Sequence, residues 1–337
     1  MKMKILIVTD AWEPQINGVV RTLKMTQREL AKLGHEVVFL TPLDFKSIPC
    51  PTYPEISLAL ASTKTVKTLI ESIKPDCLHI ATEGPLGWSA RRIAIQKGWK
   101  FTSAYHSRFP EYVNARFKIP TSWTYALLRK FHNKAQFNLT PTPAIVEDLR
   151  ARGFHNPRLW TRGVDKDIFT PIGPKQYPER SDHPVFLHVG RLAVEKNVDD
   201  FLKLDLPGEK WVAGDGPERA RLEKTYKDVR WFGVLDGLSL ATLYRSADVF
   251  VFPSVTDTFG LVMLESMSCG TPVAAYPVPG PIDVVQNQVS GALNKDLRQA
   301  CLEALKMSRT DVYQHALNFT WEKASQQFLS SLQQISH

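Results

Sequence analysis

The sequence lacks any apolar run long enough to cross a membrane. A spanning helix needs about 18 or more apolar residues, whereas the longest candidates among the 337 residues, at 5–8 and 249–252, have the length of strands. An N-terminal signal peptide is also not expected, because the apolar run at 5–8 ends at Thr9 and a signal core needs roughly 7 to 15 residues. We therefore expect no transmembrane helix and no export.

Closely spaced cysteines are absent as well. The four cysteines are Cys50, Cys77, Cys269 and Cys301, and none forms the C-x-x-C pair that is typical of zinc and redox sites. A chain of this length does not need disulfide bonds to stabilise a small core. These observations favour a reducing, cytoplasmic location.

Two phosphate-binding motifs are missing. The sequence contains neither G-x-G-x-x-G nor G-x-x-x-x-G-K-[ST], so hydride transfer on a dinucleotide and P-loop chemistry both lose their main support. No helix-turn-helix, zinc-finger or RNP pattern is present either. We expect no nucleic-acid partner.

The basic excess of the chain is confined to one segment. The net charge is +8, but residues 88–136 alone carry +9 from ten basic residues and one acidic residue, together with ten aromatic residues. Basic residues mixed with Trp and Tyr are typical of proteins that bind an anionic membrane surface. The alternative is a solvated basic face over an ordinary aromatic core.

Short β-branched runs alternate with helix-periodic segments along the whole chain, which indicates repeated βαβ units and parallel sheets. The predicted strands are 5–8, 37–40, 77–80, 101–104, 137–140, 185–189, 211–213, 229–232, 249–252 and 272–275, and predicted helices in the first half are 18–33, 65–73, 87–96 and 144–152. The fold class predicted is α/β, with two doubly wound Rossmann-like domains that face each other across a cleft.

The proline-rich stretch 170–184 has no periodicity and is typical of an interdomain linker. We predict a first domain at 1–169, a second at 185–318, and a C-terminal helical segment at 319–337. That last helix could pack on either domain.

Glycine and charged residues follow several of these strands. Asn17 and Gly18 open the first helix, where backbone N–H groups can bind an anion, although a glycine at this place is more often an ordinary turn glycine. Gly190 and Arg191 come directly after the strand at 185–189, five residues before Lys196. A guanidinium and an ammonium placed there could clamp a diphosphate, the alternative being a solvated loop.

A second candidate anion site follows the strand at 249–252. A helix is expected to open near Gly260, so that the amides of residues 259–262 would point at an anion. Glu265 lies about 7 Å further along the helix axis, which suits a neighbouring ribose, and Asp257 precedes the helix. Alternatively, Asp257 caps the helix and Glu265 is a surface charge.

Taken together, these motifs resemble glycosyltransferase family 4 enzymes of the GT-B fold over nearly the whole chain. The resemblance is carried by residues 190–196, 213–217, 247–254, 257–265, 269–273 and 279–281, with Asn17-Gly18-Val, Tyr105-His106 and Arg162-Gly-Val-Asp165 in the first half. In one position the chain departs from the family, whose E-x7-E signature begins with Glu where this chain has Asp257.

Segments 83–87, 106–112, 160–165 and 276–280 are most similar to bacterial glycolipid-forming members of the family, relatives of sulfoquinovosyl, mannosyl and diacylglycerol glucosyl or glucuronosyl transferases. The resemblance implies a retaining transfer of a hexosyl unit from a UDP-hexose, a UDP-uronate or GDP-mannose to a lipid acceptor such as diacylglycerol or a glycolipid. A peripheral enzyme at the inner face of the plasma membrane is then expected, with no cofactor; no metal is expected either, because protein cations and a helix start can neutralise the diphosphate.

Under this interpretation Arg191, Lys196 and the helix start at Gly260 neutralise the leaving diphosphate. His106 would approach the transferred sugar from the first domain, unless it is a structural histidine. The expected catalytic residues are His106, Arg191, Lys196 and Asp257; the expected donor-binding residues are Gly18, Gly190, Gly216, Val234, Leu235, Phe259, Gly260, Leu261, Val262 and Glu265; and the expected acceptor or membrane contacts are Trp12, Asn17, Glu83, Arg91, Arg92, Arg108, Arg116, Lys118 and Trp123.

Two other functions remain open on the sequence alone. A GT-B nucleotide-sugar epimerase would share the donor site but would need acid and base carboxylates in the first domain. A non-catalytic protein that binds a nucleotide sugar or a membrane surface would bind the donor without turnover.

Overall fold

The computed structural model describes residues 2–15, 17–50, 53–175 and 182–335, without the side chains of residues 50, 53–56, 115 and 116. The expected membrane contact of the Arg116 side chain therefore lies outside the described part of the chain, as does the part of the predicted linker at 176–181. The chain divides into two compact units, unit 1 with Met1–Arg162 and Trp321–His337, and unit 2 with Gly163–Thr320.

Unit 1 contains a parallel six-stranded sheet and a separate antiparallel hairpin, β3–β4. Its strands are β1 (Lys4–Val8), β2 (Glu36–Leu40), β3 (Ser47–Cys50), β4 (Tyr53–Ala59), β5 (Cys77–Ile80), β6 (Thr102–Ala104), β7 (Phe137–Thr140) and β8 (Pro157–Leu159). Its first six helices are α1 (Gly18–Lys32), α2 (Thr63–Ile73), α3 (Pro85–Gln96), α4 (Phe109–Phe117), α5 (Thr121–His132) and α6 (Pro143–Ala151). The strand order in the sheet is β2-β1-β5-β6-β7-β8.

Unit 2 repeats this plan with another parallel six-stranded sheet. Its strands are β9 (Val185–Val189), β10 (Glu209–Ala213), β11 (Val229–Gly233), β12 (Val249–Phe252), β13 (Val273–Ala275) and β14 (Gly291–Leu293). Its helices are α7 (Val198–Leu202), α8 (Arg219–Thr225), α9 (Gly237–Ser246), α10 (Leu261–Ser268), α11 (Pro281–Val284), α12 (Leu297–Ala304) and α13 (Arg309–Ala316). The strand order is β11-β10-β9-β12-β13-β14.

Both sheets are covered by helices on both faces, which is why several of their strands are buried along the whole length. Residues 5–8 of β1 and the whole of β12 are buried, because a parallel sheet that carries crossover helices on each side exposes neither face to water. The predicted class of two Rossmann-like α/β domains is confirmed.

The ends of the two units differ from the predicted boundaries. Val164 and Phe169 belong to the hydrophobic core of unit 2, and the carbonyl groups of Thr170 and Pro174 accept hydrogen bonds from Arg245. The structure therefore places the division at Arg162 rather than at residue 169, and the described start of the predicted linker is part of unit 2.

The last helix, α14 (Trp321–Ser331), belongs to unit 1. The Phe328 ring lies against His79 of β5, with ring centroids 4.9 Å apart, and residue 334 forms a β-bridge with Cys77. Within the described residues, no helix is both long and apolar enough to cross a bilayer.

Candidate functional site

In unit 2, the loops after β9 and β12 lie where the strand order changes direction across the sheet. The chain passes from β9 to β10 on one side, whereas β12 lies on the other side of β9. The loops after β9 and β12 therefore diverge at the carboxyl edge, which is where open α/β sheets bind ligands. The Thr256 hydroxyl, in the loop after β12, donates a 3.0 Å hydrogen bond to the Glu195 carbonyl in the loop after β9.

An ion pair joins the same two loops. The Lys196 Nζ atom lies 2.5 Å from the Asp257 Oδ1 atom, and only about a fifth of each side chain is exposed, at 21% and 16%. The structure thus brings together two of the four expected catalytic residues, although the sequence did not indicate that they bind each other. The other Asp257 oxygen, Oδ2, is buried without a hydrogen-bond partner among the described atoms.

The helix that follows Asp257 is not capped by it. Gly260 is the N-cap of α10, with φ at 83° and no side-chain hydrogen bond to the first turn. A side chain at Gly260 would meet the Phe252 ring at 2.9 Å, so both the positive φ and the packing require glycine. The alternative interpretation of Asp257 as a helix cap is wrong, and the helix start keeps its positive dipole end.

The side chains around this helix start are buried or partly buried. The Phe259 ring is buried and faces Phe319, with ring centroids 6.3 Å apart, while Leu261 and Val262 are partly buried against the core. Glu265 is only 3% exposed and its Oε2 atom accepts a 3.2 Å hydrogen bond from the Tyr244 hydroxyl. The alternative interpretation of Glu265 as a surface charge is therefore wrong.

Glycines after β10 allow the loop after β9 to pack closely. A Cβ atom at Gly214 would lie 1.9 Å from the Gly190 carbonyl oxygen, and one at Gly216 would lie 2.3 Å from that of Leu192. Gly216 is therefore required by backbone packing, which holds Gly190 and the half-buried Arg191 at the carboxyl edge of β9.

Val234 and Leu235 follow β11 at the edge of the sheet. Val234 is exposed, whereas Leu235 is partly buried against the core. Strand β11 is two strands away from β9, which is roughly 10 Å across the sheet. Their expected contact with the nucleobase stays a prediction.

His188 in β9 is a further polar residue that no sequence motif marks. It is buried, and its Nδ1 atom lies 3.1 Å from the Val251 carbonyl oxygen of β12. A signal was available, since His188 is the polar residue of an otherwise apolar strand that runs directly into Gly190 and Arg191.

In unit 1, the corresponding reversal point lies between β1 and β5. The Asp10 carboxylate after β1 accepts hydrogen bonds from the Leu86 and Gly87 amides, at 2.8 and 3.2 Å, and from the Thr82 hydroxyl at 2.9 Å. Burial raises the pKa of Asp10. The start of α3 is therefore satisfied by a carboxylate from within the chain.

Asn17 caps the first helix. Its Oδ1 atom accepts hydrogen bonds from the Val19 and Val20 amides, both at 3.0 Å. The main interaction of Asn17 is therefore with the first amides of α1. Its expected contact with the acceptor substrate stays a prediction. Gly18 begins the helix beside it, and its expected phosphate contact stays a prediction.

His106 is held by a buried arginine. The Arg162 NH2 group lies 3.2 Å from the His106 Nδ1 atom, and because a guanidinium can only donate, Nδ1 accepts. Burial, and then the Arg162 charge, lowers the pKa of His106 well below its ordinary value. The ring is therefore neutral and carries its hydrogen on Nε2, which makes it a hydrogen-bond donor rather than a base at that atom.

Glu83 lies at the exposed end of a hydrogen-bonded chain. Its Oε1 atom is 3.0 Å from His132 Nε2, and His132 Nδ1 is 2.9 Å from the Ser103 hydroxyl. His132 and Ser103 are buried. This arrangement anchors Glu83, one of the residues expected to contact the acceptor, and no motif in the sequence indicates it.

Two of the basic residues expected to contact a membrane are structural instead. Arg91 is buried, and its guanidinium donates to the carbonyl groups of Phe131 and Lys130. Arg108 forms ion pairs with Glu111 at 3.3 Å and Asp148 at 3.7 Å. Neither side chain is available to a lipid headgroup, because Arg91 already binds carbonyl groups and Arg108 already binds carboxylates within unit 1.

Other members of that set are accessible. Arg92 and Lys118 are exposed, and Trp123 is 72% exposed. Trp12 is only partly buried and packs against Phe39, with ring centroids 4.3 Å apart.

Exposed apolar and basic side chains cluster on α4, α5 and their connection. We call this cluster the α4–α5 surface, which comprises Phe117, Lys118, Ile119, Trp123, Leu127 and Lys130. Trp123, Leu127 and Lys130 follow the i, i+4, i+7 spacing and so share one face of α5. The opposite face carries the buried Tyr125, Leu128 and Phe131.

No group of three or more His, Cys, Asp or Glu side chains that could hold a metal ion occurs in the part of the chain that the structure describes.

Comparison with known proteins gives two matches to protein-family models. Residues 16–168 match the model described as Glycosyltransferase Family 4, and residues 183–308 match the model described as Glycosyl transferases group 1. A solved structure of sucrose-phosphate synthase from Thermosynechococcus elongatus has a TM-score of 0.80 and 21% identity, with 98% of each chain covered. That likeness shows the GT-B fold.

Curated relatives point to the same family. A sulfoquinovosyl transferase of Arabidopsis thaliana is 33% identical over 82% of this chain, and the alignment spans 60% of that protein's length. A GDP-mannose-dependent alpha-mannosyltransferase of Mycobacterium tuberculosis is 28% identical over 86% of this chain and 83% of its own length. An alpha-monoglucosyldiacylglycerol synthase of Streptococcus pneumoniae is 26% identical over 94% of this chain and 81% of its own length.

The motifs after β9 and β12, the two parallel sheets and the matches along most of the chain agree. This chain belongs to glycosyltransferase family 4 and has the GT-B fold.

Proposed function

We propose that this chain transfers a hexosyl unit from a nucleotide-diphosphate sugar to a lipid acceptor, with retention of the anomeric configuration and without a metal ion. The observation that carries the proposal is the Lys196–Asp257 ion pair, which joins the loops after β9 and β12 beside the start of α10 that no side chain caps. A cation, a helix dipole and a carboxylate thereby meet at one edge of one sheet.

The leaving diphosphate is neutralised by groups of the protein. An ammonium has three N–H donors, so Lys196 can keep its hydrogen bond to Asp257 while it donates to phosphate oxygens. Arg191 adds a planar fork suited to phosphate, and the start of α10 adds the positive end of its dipole. Fixed charges of this kind stabilise the negative charge that develops on the leaving group, usually the largest catalytic contribution.

The sugar and the ribose are bound by carboxylates. The buried Oδ2 atom of Asp257 is an acceptor that a sugar hydroxyl can satisfy, and Glu265 would hold ribose hydroxyls from inside α10. In unit 1, the neutral His106 would donate a hydrogen bond from Nε2 to an oxygen of the substrate. Retention by front-face attack is proposed from the family resemblance.

The acceptor is proposed to be a lipid such as diacylglycerol, the lipid named in the Streptococcus pneumoniae relative. The α4–α5 surface supports this proposal, because it combines exposed apolar side chains with lysines. Apolar residues can enter the headgroup region while each lysine near an anionic surface contributes about 1 kcal/mol. A peripheral position at the inner face of the plasma membrane would follow.

The donor is tested first by thermal shift. Either UDP or GDP should raise the melting temperature, since a ligand that binds only the folded state stabilises it. No shift with either nucleotide would contradict the proposed donor site.

The reaction is then tested with UDP-glucose and GDP-mannose as donors and with diacylglycerol in anionic vesicles. We expect release of the nucleoside diphosphate only when the acceptor is present, and a glycolipid that keeps the donor's anomeric configuration by NMR. Chelation with EDTA should leave the rate unchanged, whereas a loss that Mg²⁺ restores would contradict the cation clamp. Donor binding without turnover on any lipid would favour the non-catalytic alternative.

A further inference from the structure

The buried ring of His188 presents an unused acceptor atom at the end of β9. Because a carbonyl oxygen can only accept, the 3.1 Å contact with the Val251 carbonyl requires the hydrogen on Nδ1. Burial lowers the pKa of His188 to about 4, so the ring is neutral and its Nε2 atom carries a lone pair. That atom is buried and has no hydrogen-bond partner among the described atoms.

Gly190 lies next to this atom and carries no side chain that could cover it. A Cβ atom built on Gly190 would lie 3.5 Å from His188 Nε2 and 3.8 Å from Cε1, with no other described atom within 4 Å outside the neighbouring residues. The side of Gly190 where a side chain would stand is therefore bordered by the ring edge of His188. Any larger residue at 190 would fill that space and cover the ring nitrogen.

A second buried acceptor lies at the same edge of the sheet. Asp257 Oδ2 is buried without a partner, and the charges of both Lys196 and Asp257 act on the His188 ring. An unsatisfied buried acceptor costs about 1–3 kcal/mol, and a ligand that supplies two donors at this edge of the sheet would satisfy both atoms. Phosphate oxygens cannot donate, whereas neighbouring hydroxyl groups of a sugar can.

We propose that His188 Nε2 and Asp257 Oδ2 together accept hydrogen bonds from two hydroxyl groups of the sugar carried by the nucleotide diphosphate, and that His188 is a specificity-determining residue of the donor site. This inference rests on the proposed function and adds to it a residue that selects the sugar. The ribose is a less suitable source of the hydroxyl, because its proposed acceptor, Glu265, lies inside α10 rather than beside Lys196 and Asp257.

Two substitutions test the roles of the two ring nitrogen atoms separately. In His188→Asn the amide N–H group can still donate to the Val251 carbonyl, but the acceptor at the Nε2 position is lost. In His188→Gln the longer side chain places an amide at the Nε2 position and can restore an acceptor there. The probes are UDP and GDP without sugar and UDP-glucose and GDP-mannose with it, measured by calorimetry.

We expect His188→Asn to bind the nucleoside diphosphate as the wild type does but to bind the matching nucleotide sugar about 3- to 10-fold more weakly, the effect of one neutral hydrogen bond. His188→Gln should recover part of that loss. Removing the relevant sugar hydroxyl should make the wild type and His188→Asn bind alike.

Equal weakening of the nucleoside diphosphate and the nucleotide sugar would place the atom against the nucleotide and overturn the inference, as would no change in either. If His188→Asn does not fold, the inference is tested on the wild type with donors that lack one sugar hydroxyl each. Loss of either of the two hydroxyls should weaken binding. If neither UDP nor GDP binds the wild type, the proposed donor site fails and this inference fails with it.

Discussion

At the scale of single residues, the side chains of the proposed donor site in unit 2 are held in place by contacts with one another. The sequence motif alone placed Arg191, Lys196 and Asp257 after the correct strands, because a residue that follows a strand is recognised locally. It did not indicate that the Lys196 ammonium lies 2.5 Å from the Asp257 carboxylate. That contact depends on β9 and β12 being neighbours in the sheet.

Replacing Lys196 with alanine tests the leaving-group role. Lys196→Ala should lower kcat about 100-fold or more, because a fixed positive charge that faces the leaving diphosphate is removed. It should also lower the free energy of unfolding by about 1–3 kcal/mol, since the mostly buried Asp257 loses its partner. The measurements are steady-state turnover and urea unfolding.

The matched control is Lys203→Ala. Lys203 forms a 2.6 Å ion pair with Asp200 but its side chain is 62% exposed, and exposed pairs of this kind contribute about 0–1 kcal/mol. Turnover should be unchanged in the control. Near-normal turnover in Lys196→Ala would remove this lysine from the proposed site.

At the scale of secondary-structure elements, the periodic segments were predictable and the short or proline-containing ones were not. The ten predicted strands and the four predicted helices of the first half lie within two residues of the observed bounds. The hairpin β3–β4 contains Pro49 and Pro54 and β8 begins with Pro157, and proline disfavours strand assignment. The sequence marks the residues of helices α4 and α5 only by their charge and aromatic content.

The α4–α5 surface gives a prediction that belongs to one element. The double variant Trp123→Ser, Leu127→Ser should lose most of its binding to vesicles that contain anionic phospholipid, because both exposed apolar side chains of one face of α5 are removed. Its free energy of unfolding should change little, since exposed positions contribute little to packing. Co-sedimentation with vesicles measures the binding.

A matched control removes two exposed leucines elsewhere in unit 1. Leu43→Ser, Leu60→Ser affects side chains that are 64% and 61% exposed and should bind vesicles as the wild type does. Binding should also weaken as salt is added, given a Debye length of about 8 Å at physiological ionic strength. Equal binding to neutral vesicles would contradict the electrostatic part of the proposal.

At the scale of the whole molecule, each unit buries neutral histidines. Burial lowers the pKa of His79 in unit 1 to about 3 and that of His188 in unit 2 to about 4. In the unfolded chain both would titrate near 6.5. Between these values the unfolded state binds more protons than the folded state, so stability is complete above about pH 6.5 and falls as the pH is lowered.

We therefore expect the free energy of unfolding to fall from pH 6.5 to 5.5 by about 1 kcal/mol for each buried histidine. Urea unfolding at pH 7.5, 6.5 and 5.5 measures this slope. His79→Gln should reduce this slope, because one buried histidine is removed. A free energy that does not vary over this range would contradict the burial argument.

The sequence by itself determined the class of fold, the position of the main strands and the family, because apolar periodicity and short motifs are local properties of the chain. The tertiary structure decided which of the marked residues meet. In the folded chain Lys196 pairs with Asp257, and the Nε2 atom of His188 is buried. Arg91 is buried in unit 1, and α14 belongs to that unit. The physical reason is that these contacts depend on the order of strands in each sheet and on which helix covers each face, and no local pattern specifies either.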